Sequence, residues 1–140
     1  MKAGKLMLDT NIVSYLLKKN DLIRPYLRYF SGNLLFLPFI SVGELYLWAE
    51  SAGWGQKRRA ELEERLRNYV VVPYDHEIAR HYARIAAERK RNGRPIGLHD
   101  AWIAACATRH GVPLVTHNAK DFEGIDSLEI LTEKEDGVCG

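Results

Sequence analysis

Lys5-Leu6-Met7-Leu8, followed at once by Asp9-Thr10-Asn11, is a short apolar run that stops at residue types that cap helices. It reads as a strand passing into a helix, because Ile12, Val13, Leu16 and Leu17 continue at helical spacing. The same alternation extends outward along the chain. A second helical piece from about Leu22 to Phe30 stops near Ser31-Gly32-Asn33, and Leu34 to Ile40 reads as a buried strand that Pro38 closes or confines to an edge. Ser41-Val42-Gly43-Glu44 has the spacing of a capping box and opens a helix running to about Gly53. Gln56 to Tyr69 is a further helix in which Glu61/Arg65 and Glu63/Arg67 stand one turn apart as exposed ion pairs.

Val70-Val71-Val72 is the third strand, and Asp75 caps a long helix with inner face Ile78, Tyr82, Ile85 and Ala86 that ends by Asn92-Gly93. Arg94 to Leu98, with Pro95 and Gly97, is a loop leading into an apolar helix that closes at Arg109-His110 and Gly111. Leu114-Val115-Thr116 and Leu128-Glu129-Ile130 are the fourth and fifth strands. Strands alternating with helices predict an α/β fold: a single three-layer domain over residues 1–140, with a mostly parallel central sheet of four to five strands flanked by helices.

Composition agrees with this reading. The chain has 140 residues, 46% hydrophobic and 27% charged, which excludes disordered, collagen-like and coiled-coil classes. A net charge of +2 is too small to argue for nucleic acid or membrane by itself. Two cysteines, Cys106 and Cys139, do not form a disulfide framework, so a reducing cytoplasm is expected. No apolar run is long enough to span a membrane, and Asp9 interrupts the N-terminal one before it could serve as a leader.

Open parallel sheets bind ligands at the carboxyl ends of their strands, where strand order reverses. Asp9, Glu44 and Asp121 follow the first, second and fourth strands, and Asp100 opens the helix before the fourth. Four carboxylates brought together would repel one another and raise their pKa values unless a cation offset the charge. Mg2+ or Mn2+ accepts such oxygen donors. Zinc is disfavoured, because the five histidines show no HExxH spacing and no CxxC partner. An all-carboxylate ion site suits displacement at phosphorus with water as nucleophile. The plain alternative for each acid is a cap or a helix-dipole partner.

At these residues the sequence resembles the PIN-domain ribonucleases, and within them the VapC-type toxins of VapBC toxin–antitoxin pairs. Leu8-Asp9-Thr10-Asn11 is similar to the family's D-T-N element, and Ile40-Ser41-Val42-Gly43-Glu44-Leu45 to its [ST]-x-x-E-L element. Gly93-Arg94-Pro95-Ile96-Gly97 with Asp100-Ala101-Trp102-Ile103-Ala104-Ala105 resembles G-x-P-I-G…D-x-x-I-A-A, and Leu114 to Phe122 resembles L-V-T-x-N-x-x-[DE]-F. The resemblance covers nearly the whole chain. It implies a divalent-metal-dependent endoribonuclease with Asp9, Glu44, Asp100 and Asp121 as its acids, supported through hydrogen bonds by Thr10, Thr116 and Asn118. It also implies a homodimer, an RNA substrate such as transfer RNA, and an antitoxin whose amphipathic helix blocks the acidic pocket. Trp48, where many relatives carry a small residue, and Glu123-Gly124, where a basic residue is common, depart from the pattern.

Basic residues cluster at Lys57-Arg58-Arg59 and along Arg84, Arg89, Lys90, Arg91 and Arg94. Arg94, just ahead of the Asp100 helix, is the best placed for an RNA phosphate, while most of the others read as solvated helix faces. Two other readings remain in view: a phosphotransfer protein on a flavodoxin-like sheet, and a non-catalytic RNA-binding PIN module. No G-x-G-x-x-G follows a strand, which disfavours a dinucleotide enzyme.

Overall fold

The computed structural model describes residues 4–134; Cys139 lies outside them. The chain alternates as expected: β1 (Gly4–Leu8), α1 (Thr10–Leu17), a 3-10 helix (Asp21–Tyr29), β2 (Asn33–Pro38), α2 (Phe39–Ser51), α3 (Gln56–Leu66), β3 (Val70–Val72), α4 (His76–Arg91), α5 (Leu98–His110), β4 (Leu114–Val115), a short 3-10 turn (Ala119–Phe122) and β5 (Ile130–Leu131). All five strands are parallel, in the order β3-β2-β1-β4-β5. The chain leaves β1 to one side, builds β2 and β3, then returns to lay β4 and β5 on the other. Strand order therefore reverses between β1 and β4, where Leu8 pairs with Val115. A flavodoxin-like sheet would place its third strand beside the first, so this order is not that of a flavodoxin-like sheet.

Alternate residues of β1 feed two cores, as a sheet covered on both faces requires. Leu6 and Leu8 pack with Ile12 and Val13 of α1, Leu45 and Ala49 of α2, and Leu62 and Leu66 of α3. Met7 points the other way, toward Ile78 and Ile85 of α4, Ile103 to Ala107 of α5, and Phe122. Ile78, Ile85 and the stacked Tyr82–Trp102 pair, with ring centroids 4.1 Å apart, confirm the inner face expected for α4. Asp75 caps α4 by accepting from the Ile78 N–H at 2.7 Å, and Gly111 ends α5 at φ 63, a left-handed conformation that favours glycine.

Several boundaries differ from the sequence reading. Phe39 and Ile40 form the first turn of α2 rather than the end of β2. A strand buried on both faces and a core helix are equally apolar, so the run across Pro38 carries no period to divide them. Pro38 closes the strand, and β2 lies inside the sheet, not at its edge. The capping box is not formed: Pro38 is the N-cap, and Ser41 and Glu44 lie within the helix. The helix after Gln56 ends at Leu66, and Tyr69 turns into the first core. Glu64, not Glu63, pairs with Arg67 at 3.1 Å. Strand β5 begins at Ile130, because Ile130 and Leu131 are the residues in register with Leu114 and Val115. No helix among the described residues is long and apolar enough to cross a membrane.

Candidate active site

Asp9 follows directly from the sheet. Its N–H donates to Val115 O at 2.9 Å, continuing the β1–β4 ladder one residue past the strand and fixing the side chain at the reversal of strand order. One carboxylate oxygen accepts from the Thr10 N–H at 2.7 Å, and the other from the Thr116 hydroxyl at 2.7 Å. Thr116, fully buried after β4, in turn accepts from the Asn118 N–H at 3.0 Å. Burial pushes the Asp9 carboxyl up to about 6 against those two hydrogen bonds, and the charges of Asp100 and Glu44 push the same way.

Glu44 reaches the same end of the sheet from the second turn of α2. Its Oε1 accepts from the Thr10 hydroxyl at 2.6 Å, and Thr10 Oγ1 also lies 2.7 Å from the buried Ser41 Oγ. Its Oε2 lies 3.1 Å from His99 Nδ1. Asp100, half-buried in the first turn of α5, is also pushed up to about 6, by burial first and then by the charges of Asp121 and Glu44. Glu44 and Asp100 share a cavity of about 320 Å3 with Gly97, Leu98 and His99. Asp121 stands exposed on the 3-10 turn after β4. The four acids therefore gather at the carboxyl end of the sheet, each acting electrostatically on another.

Among the described residues, no three His, Cys, Asp or Glu side chains are close enough together to form a ready-made chelate. Glu44 spends one oxygen on Thr10 and the other on His99. The donor set still fits a hard cation, because Mg2+ keeps several waters and needs only one or two protein carboxylates. Two acids raised to about 6, by burial first and by neighbouring carboxylates second, are the electrostatic counterpart of that fit.

A family description, the PIN domain, matches residues 6–128. The chain belongs to the PIN-domain family. This PIN domain is 36% identical over 126 residues to Ribonuclease VapC2 of Haemophilus influenzae, covering 89% of this chain and 94% of that one. It is 33% identical over 125 residues to the tRNA(fMet)-specific endonuclease VapC of Shigella flexneri, with the same coverage of 89% and 94%. Among solved structures it is similar to the DNA-bound VapBC of Salmonella typhimurium, with a TM-score of 0.81, 32% identity, and coverage of 94% of this chain and 98% of that one. The PIN domain is thus of the VapC ribonuclease type.

The supporting residues divide. Thr10 and Thr116 hydrogen-bond to the acids directly, whereas Asn118 enters the network through its backbone N–H and keeps its side chain exposed. Arg94 is half-exposed and pairs with Glu123 Oε2 at 3.3 Å, so the acid that departs from the family pattern carries a countercharge from the same chain. Trp48 packs half-buried against the first core, with Lys18 Nζ 3.9 Å from its ring centroid. It also lines a cavity of about 420 Å3 between α1 and α2 that shares Glu44 and His99 with the acid pocket.

Sequence reasoning missed three contributors. Ser41 and His99 carry no separate signal, since one reads as a cap and the other as a loop-to-helix residue. Arg89 reads as part of a solvated basic face, yet it is 7% exposed. Its position at the spacing of Ile78, Tyr82 and Ile85 was the available clue.

Proposed function

We propose that this VapC-type ribonuclease hydrolyses RNA phosphodiester bonds with a Mg2+ or Mn2+ ion held by Asp9, Glu44, Asp100 and Asp121. The observation that carries the reading is the pair of carboxyls at the reversal point of a parallel sheet, Asp9 and Asp100, both raised to about 6 by burial first and then by neighbouring carboxylates, Asp100 and Glu44 for Asp9 and Asp121 and Glu44 for Asp100. When bound, such an ion supplies the positive charge that a phosphoryl group needs as negative charge develops on its oxygens.

The chain's own part is orientation. Thr116 and the Thr10 N–H each hold one Asp9 oxygen, which fixes the plane of that carboxylate. Thr10 and His99 do the same for the two oxygens of Glu44. The Thr116 hydroxyl favours the charged form of Asp9 that a cation requires. Arg94, at the rim, is the proposed phosphate contact and would exchange Glu123 for RNA. The cavity between α1 and α2 suits the apolar face of an antitoxin helix, which would cover Glu44 and His99 from that side. By analogy with the named relatives, the substrate is a transfer RNA and the partner the second protein of a VapBC pair, an antitoxin; the homodimer and the cytoplasm are carried over from the family resemblance and the cysteine usage of the sequence.

The test is cleavage of transfer RNA by the purified chain with Mg2+ or Mn2+, with EDTA, and with the Asp9→Asn and Asp100→Asn variants. Loss of cleavage in EDTA and in both variants is expected. Cleavage that survives chelation refutes the metal mechanism, and a folded non-catalytic RNA-binding module would bind RNA with no cleavage under any condition.

A further inference from the structure

Arg89 is the one charged side chain of α4 in the core, and it has no carboxylate partner among the described residues. Burying a guanidinium is unfavourable unless its N–H groups find acceptors. Here they find backbone. Nε donates to Arg94 O at 2.7 Å, while Nη1 donates to Asp121 O and Glu123 O, each at 3.1 Å. Those three carbonyls belong to two turns far apart in sequence: the G-R-P-I-G turn that leads into α5 and Asp100, and the 3-10 turn that carries Asp121. The Arg94–Glu123 ion pair at 3.3 Å bridges the same two turns on the outside.

We propose that Arg89 is a positioning residue for the acid site: its buried guanidinium ties the turn before α5 to the turn bearing Asp121 and so holds Asp100 and Asp121 side by side for the cation. The inference rests on the assignment of those two acids to the ion site. Repulsion between them favours separation of the turns when no ion is bound, and the turns have little strand pairing of their own to resist it. A planar fork spans both turns at once, which a lysine ammonium, a single point on a flexible stem, does not. Charge alone is therefore insufficient, and Arg89→Lys separates geometry from charge.

The experiment compares wild type, Arg89→Lys and, as a control on the exposed face of α4, Arg91→Ala. Mn2+ binding is read from the free-ion electron paramagnetic resonance signal at a temperature where each variant is folded, alongside kcat and KM on transfer RNA. Arg89→Lys should bind Mn2+ at least about tenfold more weakly and lose kcat more than KM, while Arg91→Ala matches wild type. A merely structural role would lower the unfolding midpoint and leave Mn2+ affinity within twofold, and that result overturns the proposal. If wild type itself binds no Mn2+, the ion-site reading fails separately. Amide hydrogen exchange then decides the clasp: faster exchange at both 94–97 and 119–124 in Arg89→Lys supports it, and unchanged exchange overturns it. Should the lysine variant not fold, the Arg89 Nε–H signal of wild type gives the answer. Slow exchange with broadening by added Mn2+ supports the clasp, and fast exchange without broadening overturns it.

Discussion

Replacing Asp9 by asparagine removes a charge while keeping the shape, and the structure gives the size of the effect. Asp9 is 5% exposed, and its carboxyl is raised from 3.8 to about 6, chiefly by burial. A raised carboxyl pKa means that the folded state keeps a proton which the unfolded chain has already released. Stability therefore falls as pH rises from about 4 to about 6 and is flat above. At 1.36 kcal/mol per pH unit, this carboxylate destabilises the ion-free fold by about 3 kcal/mol at pH 8. Asparagine escapes that cost but cannot accept both existing hydrogen bonds, from Thr10 N–H and Thr116, which forfeits about 1 kcal/mol. The variant should thus be more stable than wild type by about 2 kcal/mol in EDTA at pH 8, or about 6 °C in unfolding midpoint. At pH 4, where both side chains are neutral, it should trail by about 1 kcal/mol. Saturating Mg2+ should restore wild type by about 2.7 kcal/mol at a hundredfold excess over Kd and leave the variant behind. Thermal and urea unfolding at the two pH values, with EDTA and with Mg2+, measure all of this. A variant less stable than wild type at pH 8 in EDTA, or a gap independent of pH, refutes the reasoning.

Asp100→Asn should lower cleavage by more than about a hundredfold with a cooperative unfolding transition retained, checked by calorimetry beside a cleavage assay. Thr116→Val removes the hydroxyl that donates to Asp9 and should cost about 10–100-fold in kcat or Mn2+ affinity, read by steady-state kinetics and ion titration. Mn2+ affinity should weaken as pH falls below about 6, because Asp9 and Asp100 must release protons to accept the ion; titrations at pH 5, 6 and 8 show whether it does. Tyr26→Phe takes the hydroxyl from His117 Nδ1, 2.6 Å away, and from the Glu133 N–H, 3.1 Å away, and should destabilise the fold by about 1–3 kcal/mol in urea titrations.

The legible part of the site was the part made by secondary structure. Asp9 announces itself because an apolar run must end where a strand leaves the sheet, and the residue there points into the crevice whatever the rest of the chain does. Asp121 and Thr116 follow from the same rule applied to β4. Glu44 was ambiguous, since Ser41-x-x-Glu44 spells a capping box; only the displacement of the helix start to Phe39 frees both side chains to meet Thr10. The boundary error and the functional ambiguity thus had one origin, an apolar run without a period. Arg89 failed for a different reason. Arginines on a helix are solvated far more often than buried, and its partners are carbonyls, which every residue has and no sequence pattern marks.

The two halves of the site are built differently, and this bears on what ion affinity depends on. Asp9 and Thr116 stand at the ends of adjacent paired strands, so their mutual geometry is set by a hydrogen-bonded register. Asp100 follows one irregular turn and Asp121 lies on another, and these turns are joined to the body of the fold through Arg89 and to each other through Arg94 and Glu123. A perturbation of the sheet would unfold the protein before it misplaced Asp9. A perturbation of the proposed clasp is expected to leave a folded chain in which Asp100 and Asp121 are free to part. On the proposed ion site, ion binding is expected to be the more fragile property of the two, and substitutions around α4 and the Glu123 turn should weaken it while the sheet, the two cores and Asp9 remain in place.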